Sequence, residues 1–399
     1  MTTHTCTRRS VVQSLATVVA SSLLPRGSGT PLGASRRRDG TTLSGVGANV
    51  RINEVTPELL SRARALGFSW LRTDVRWARV ETRVGMFDFS VERRAFEMAR
   101  SSGFDILAIL NYGHPVHTAG RAPASAAERD RFAVFARQAE QSLGPWVSAW
   151  EIWNEPNLPQ FWPPAPNAGD FVELFRSAAY AIWGVHSDRQ LVTGGLSGLD
   201  LEYLQRIRPA VTTIAGRGPV AFSLHPYRTT PPETLVGDLS RAGLLDRTGT
   251  ARTPEGVAIW VTEWGYCRLW AHMDPVRQGE MDVRLALVTA GLGVPVTVLF
   301  ELVDGGPQTE SAYTCGLLHA STLQPHPAAE GWQRAAAIVA HRRPEQPGIV
   351  GLTDHWTIEG NGGRLSWGEA VGETPWCARG GEGDTVRVAN TLVCYLPTP

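Results

Sequence analysis

One alternation runs along most of the chain and restricts its fold more than any other feature. From residue 44 onward, short apolar runs alternate with helix-patterned stretches eight times. The runs end near Asn49 (VGANV), Thr73 (WLRTD), Asn111 (ILAILN), Glu155 (SAWEIWNE), Gly194 (LVTGG), His225 (AFSLH), Glu263 (IWVTE) and Glu301 (VTVLFE). Successive ends lie 24 to 44 residues apart, the length of a strand, a loop and a helix. The intervening stretches carry helix signals. Thr56-Pro57-Glu58 reads as an N-cap with proline at the first helical position, Leu59, Leu60, Ala63 and Leu66 follow at helical spacing, and Gly67 stops the helix. Ser125 with Glu128 reads as a capping box ahead of Phe132, Phe135 and Ala136. Phe171, Leu174, Phe175, Ala178 and Ile182 trace one face of a later helix.

Eight β-α units predict an α/β chain closed into a (β/α)8 TIM barrel. The alternative is a doubly wound open sheet. It calls for a glycine-rich phosphate loop after its first strand, and Gly45-Val46-Gly47-Ala48-Asn49-Val50 lacks the third glycine. After about residue 345 the pattern changes to strand-like runs (HWTIEG, GRLSWGE, DTVRVA, TLVCYL) between Gly-rich turns. The expected layout is an export signal and linker over residues 1–40, the barrel over 41–345 and a small β-rich C-terminal appendage over 346–399.

The first segment reads as a twin-arginine export signal: Arg8-Arg9 precede a short, weakly apolar stretch that runs to Leu24. That stretch is too short and too rich in Ser and Thr to span a bilayer. A disordered basic leader is the alternative. Export implies a periplasmic or extracellular protein, and cysteine usage agrees. Cys6 leaves with the leader, and Cys267, Cys315, Cys377 and Cys394 remain. Four cysteines allow three pairings. Proximity in the layout favours Cys267 with Cys315 and Cys377 with Cys394, against four buried free thiols.

Charge excludes several functions. Basic and acidic residues balance at 38 each, so nothing marks a nucleic-acid binder. Every basic residue is arginine, which removes Schiff-base, P-loop and pyridoxal chemistry. The 14 tryptophans exceed what a core of this size needs. Trp77, Trp162, Trp264 and Trp270 lie in or near β-α loops, where they are either ligand platforms or packing.

In a barrel, chemistry sits at the C-terminal strand ends. Glu155 closes the fourth run in Trp153-Asn154-Glu155-Pro156-Asn157, and Glu263 closes the seventh in Val261-Thr262-Glu263-Trp264-Gly265. Strands four and seven face each other across the mouth of an eight-stranded barrel. Two carboxyls placed there suit glycoside hydrolysis, one as proton donor and one as nucleophile or base. Glu151, four residues before Glu155, reads as a buried carboxylate paired with an arginine.

The W-N-E-P and T-E-W-G motifs resemble glycoside hydrolase clan A, the retaining (β/α)8 glycosidases. Arg72 in WLRTDVRW and His225-Pro226-Tyr227 match the clan's arginine and its H-x-Y. WARVETRVGMFDF, ILNYGHP and FELVD look most like family 39, in its bacterial exopolysaccharide-type branch. The resemblance covers about residues 44 to 340. It implies Glu155 as acid/base and Glu263 as nucleophile, with Asn154 on the sugar 2-hydroxyl. Arg72 would keep Glu263 ionised. Tyr227 would donate to Glu263, and His114, His225, Trp264 and Glu301 would line the sugar site. The last strand carries Phe300 where many clan members have a tryptophan beneath the sugar.

The resemblance also implies a β-linked poly- or oligosaccharide as partner; no cofactor, no metal, no nucleic acid, no stable membrane insertion and a monomeric chain are expected besides. Two other functions compete. An inactive polysaccharide-binding barrel has no need of both glutamates. A metal-dependent barrel hydrolase usually has H-x-H on its first strand, where this chain has Gly47-Ala48-Asn49, and the spacing of His114 and His117 lacks a third ligand.

Overall fold

The computed structural model describes residues 45–269, 271–305, 314–339, 349–351, 356–360, 363–369, 384–388 and 391–397. The expected leader and linker, Trp270 and Cys377 lie outside these residues.

Eight strands form the inner sheet: β1 Val46–Asn49, β2 Trp70–Arg76, β3 Asp105–Asn111, β4 Ala149–Ile152, β5 Gln190–Thr193, β6 Val220–His225, β7 Ile259–Trp264 and β8 Thr297–Leu299. Each pairs in parallel with the next. Val46 then pairs with Thr297 and Ala48 with Leu299, which closes the ring. The chain is a (β/α)8 barrel, as its alternation predicts. Closure draws β1 tightly against β2. A Cβ on Gly47 would meet the Trp70 Cβ at 2.6 Å, so that register needs glycine.

Two layers make the core. Leu107, Ala149, Val192, Ala221, Trp260 and Val298, from six successive strands, and Val296 just before β8 fill the barrel interior. A larger apolar layer lies between sheet and helices, where Leu59, Leu60 and Ala63, and likewise Phe171, Leu174, Phe175, Ala178 and Ile182, are buried. The local signals hold. Thr56 Oγ1 accepts from the Leu59 N–H, and Ser125 and Glu128 close their capping box.

Two strand ends differ from expectation. β2 runs on to Arg76, and β4 stops at Ile152, three residues short of Glu155. Trp153 (φ 73°) and Glu155 (φ 42°) take left-handed backbone, which leaves the ladder. Non-glycine residues carry strain there, and such strain gathers at functional sites.

The C-terminal runs form a five-stranded antiparallel sheet: β9 Ile349–Gly351, β10 Trp356–Gly360, β11 Gly363–Glu369, β12 Asp384–Val388 and β13 Thr391–Pro397, in the order β9-β10-β11-β13-β12. The barrel helix Pro275–Gly291 packs against the helix Pro327–Val339, and β12 meets both. The helix Pro275–Gly291 is buried on nearly every side, and its polar residues find partners there: Gln278 donates to the Cys315 carbonyl, Asp282 accepts from the Tyr266 N–H and Arg284 pairs with Glu233. Cys267 and Cys315 form a disulfide between the loops after β7 and β8, as expected. Cys394 lies on β13. Among the described residues, no helix is long and apolar enough to cross a membrane.

Candidate active site

Arg72, near the middle of β2, is the hub of the strand ends. Its side chain is buried, and its five N–H donors make five hydrogen bonds. Nε and Nη2 reach Glu151 Oε2 (2.8 Å) and Oε1 (3.3 Å), Nη1 reaches Glu263 Oε2 (2.8 Å) and Asn49 Oδ1 (3.2 Å), and Nη2 reaches Asn154 Oδ1 (3.0 Å). Burial opposes its charge, but Glu151 and Glu263 outweigh burial and raise its pKa above the ordinary value. Glu151 is the arginine-paired buried carboxylate expected from its position, and it also accepts from the Gly195 N–H and the Thr262 hydroxyl.

Glu263, on β7, is held from both sides. Arg72 contacts Oε2, and the Tyr227 hydroxyl donates to Oε1 at 2.8 Å. Burial first, and then the Glu263 charge, hold the Tyr227 phenol well above its ordinary pKa, so it remains a donor. Glu155 faces the same space from the loop after β4. Its backbone N–H donates to the Gly195 carbonyl at 3.0 Å, and its Oε1 lies 3.0 Å from His225 Nδ1. One carboxylate oxygen of Glu155, one of Glu263 and a ring nitrogen of His225 all lie within 4.8 Å of one another.

His225 is fully buried, which needs glycine at position 195. A Cβ there would lie 2.0 Å from His225 Nε2. Nε2 contacts Thr262 Oγ1 at 3.1 Å, and Thr262 donates its only proton to Glu151 Oε1 at 2.9 Å. Thr262 is therefore an acceptor toward His225. The network assigns the Nε2–H tautomer and leaves Nδ1 facing Glu155.

A cavity of about 430 Å³ opens above the pair. Of the residues expected at the site, Glu155, Glu263, Arg72, Asn154 and Glu301 line it, and Tyr227 is half-buried beside it through Glu263. Three others do not reach it. His225 is the fully buried support just described. His114 is buried, donates from Nε2 to the Glu81 carbonyl (2.7 Å) and at Nδ1 accepts two backbone N–H bonds that cap the turn Pro115–Thr118, so both ring nitrogens are engaged. Trp264 is fully buried with the Arg228 guanidinium 5.6 Å from its ring centroid. Trp77 and Trp162 are likewise packing residues, since both are buried in the core.

The aromatic groups in the cavity are instead Tyr112, Phe161 and Phe300. Tyr112 stacks on Phe161 with centroids 5.9 Å apart. Asn49, Arg51, Asn53, Thr73, Asp74, Arg76 and Arg79 add to the polar lining. Arg51 donates from Nη2 to Glu301 Oε2 at 2.8 Å, while Glu301 Oε1 finds no donor among the described residues. Burial pushes the Glu301 carboxyl up to about 8 against the pull of Arg51. Asn49 and Tyr112 stand at or just beyond a strand end, where the barrel rule points; Phe161 sits deep in a loop and carried no such signal.

Two further clusters bring acids and histidines close enough to share an ion: Glu81, His114 and His117, and Asp304, His319 and His326. In the first, His114 has no lone pair to give, for the reason above. In the second, Asp304 Oδ2 already accepts from Arg268 and His326, each at 2.7 Å, and Oδ1 accepts from the Gly316 N–H. A cation there would meet the Arg268 guanidinium.

No protein-family model matches the chain, and no curated protein matches it. Solved structures do. A family 39 glycoside hydrolase from the gut symbiont Bacteroides cellulosilyticus WH2 superposes with TM-score 0.65 and 16% identity over 90% of this chain and 80% of its own. GH5_18 from Streptomyces cattleya, solved with GlcNAc, gives TM-score 0.59 and 16% identity over 77% and 82%. A glucosidase from Croceicoccus marinus gives 0.56 and 13% over 93% and 82%. At these identities the likeness is one of fold, and the glycoside hydrolase clan A and family 39 resemblance seen in the motifs is consistent with it.

Proposed function

We propose that the chain is a retaining β-glycosidase acting on a β-linked poly- or oligosaccharide, such as a secreted exopolysaccharide, by double displacement. The observation that carries this reading is the pairing of Glu155 with Glu263 at one cavity, with an oxygen of each within 4.8 Å. Retention uses carboxyls about 5–5.5 Å apart, whereas inversion leaves room for a water at about 6.5–9.5 Å. Neighbours described as glycoside hydrolases and a glucosidase support the same class.

The contacts support each role. Glu263 is fixed by Arg72 and Tyr227, so its carboxylate is aimed before substrate arrives, which suits a nucleophile. Asn154 Oδ1 is taken by Arg72, which leaves the amide N–H groups to donate to the sugar 2-hydroxyl. With His225 as the Nε2–H tautomer, the 3.0 Å contact between Nδ1 and Glu155 Oε1 needs a proton between them. That pair holds the proton Glu155 gives to the departing oxygen. In the first step Glu263 bonds to the anomeric carbon, the C–O bond breaks and Glu155 protonates the leaving group. In the second step Glu155 takes a proton from water, which attacks the same carbon and releases Glu263. Export through Arg8-Arg9 to the periplasm or beyond is part of the proposal, because a polymer of this kind is met outside the cytoplasm.

Azide rescue tests the assignment. Glu263→Ala loses turnover on every substrate by several orders of magnitude, and azide gives product of inverted configuration. Glu155→Ala still cleaves an activated aryl β-glycoside quickly, then stalls, and azide gives product of retained configuration. The opposite configurations, read by NMR, would mean that the two roles are exchanged.

A further inference from the structure

Glu233 is a buried carboxylate outside the cavity, placed just before the helix Thr234–Arg241. Three donors converge on it. Oε1 accepts from Trp367 Nε1 at 2.8 Å and from Arg284 Nε at 2.9 Å, and Oε2 accepts from Arg284 Nη2 at 2.9 Å. Arg284 lies on the barrel helix Pro275–Gly291. Trp367 lies on β11 of the C-terminal sheet, fully buried and 134 residues away in sequence. A charge this buried holds its place only while its donors do.

Glu233 ends the loop that begins after His225 and carries Tyr227 to Glu263. The loop is stiff between the two. Pro231 and Pro232 fix two φ angles, the Thr230 carbonyl accepts from the Tyr266 hydroxyl at 2.6 Å, and Arg228 Nη1 donates to Asp238 Oδ2 at 2.9 Å. Glu233 is thus one of a few anchors, all close behind the strand end, that together set where Tyr227 stands.

We infer that the C-terminal sheet is a working part of the active site: Trp367, through Glu233, sets the loop that holds Tyr227 against Glu263. Trp367 and Glu233 are positioning residues, since neither touches the cavity. This rests on Glu263 being the nucleophile. A Tyr227 hydroxyl that drifts leaves Glu263 less well aimed, which slows the chemical step without weakening substrate binding.

The test uses the full chain. Trp367→Phe keeps an aromatic ring and removes the N–H. On an aryl β-glycoside its kcat should fall about tenfold, with KM unchanged. In a Tyr227→Phe background the same change should have no further effect, because the hydroxyl through which it acts is gone. Amide hydrogen exchange should rise across 226–233 and stay unchanged in β3. If Trp367→Phe does not fold, Glu233→Gln takes its place; it still accepts from Trp367 but loses its charge toward Arg284. Losses that multiply in the double variant, or unaltered exchange in the loop, would make Trp367 merely structural and overturn the inference. A wild-type chain inactive on every β-glycoside would remove the glycosidase reading instead, and the exchange measurement would still decide whether Trp367 holds the loop.

Discussion

His225 Nδ1 lies 3.0 Å from Glu155 Oε1 and 4.0 Å from Glu263 Oε2, so one buried imidazole faces both carboxylates of the pair. The Thr262 hydroxyl, fixed as an acceptor by Glu151, selects the tautomer of that ring. Thr262→Val removes the acceptor and frees the tautomer. Hydrolysis of substrates with poor leaving groups should fall about 10–100-fold, part of what a positioned acid contributes. Activated aryl substrates should change little. An equal loss across a series of leaving groups would show that Thr262 does not act through Glu155.

Arg72 serves Glu151, Glu263, Asn49 and Asn154 at once, and no other residue type offers five donors in one plane. Arg72→Met leaves Glu151 as a buried carboxylate without its counter-charge. The folded state should lose about 3–5 kcal/mol, the range for breaking a buried pair, and activity should be abolished. Urea unfolding at neutral pH measures the first effect. A loss below about 1 kcal/mol, the scale of a surface pair, would contradict the hub described here.

Glu301 gives the fold a pH dependence of its own. Its carboxyl is raised to about 8 from an ordinary 4.5, so the folded chain holds that proton more tightly than the unfolded chain does. The resulting stabilisation is complete below about 4.5 and is lost as pH rises through about 8. Glu301→Gln keeps the shape and cannot ionise. Relative to wild type, its melting temperature should therefore improve between pH 5 and pH 9. A difference that stays constant with pH would refute the buried-carboxyl argument.

The Cys267–Cys315 bridge closes a span of 48 residues. Chain-entropy arithmetic for a loop of that length gives about 4 kcal/mol. Cys267→Ser with Cys315→Ser should lower stability by an amount of that order, read by urea unfolding against the oxidised wild-type chain. Equal melting of the reduced and oxidised wild-type chain would remove the bridge from the account.

The barrel and its two glutamates were legible because both rest on local pattern. An apolar run needs only its neighbours to be recognised as a strand, and a strand end in a closed barrel already points at the mouth. Histidine and tryptophan were harder. His114 sits in a suitable loop and His225 and Trp264 at strand ends, but burial and hydrogen-bond accounting decide what they do, and both depend on residues far away in sequence. Gly195, invisible as a signal, turns out to be what admits the His225 ring. The strands after residue 345 were readable from their alternation. Their bond to Glu233 was not, since nothing local in either segment announces a partner 134 residues away.

The pairing of Val46 with Thr297 has a consequence for how the protein is made. Within the barrel, the first strand to be made is the partner of the last. Until β8 follows, β1 presents an unpaired edge, and so does each newest strand of the growing sheet. Open edges of this kind invite pairing with other chains. The nascent protein is therefore most exposed to aggregation while seven barrel strands are in place and the ring is still open.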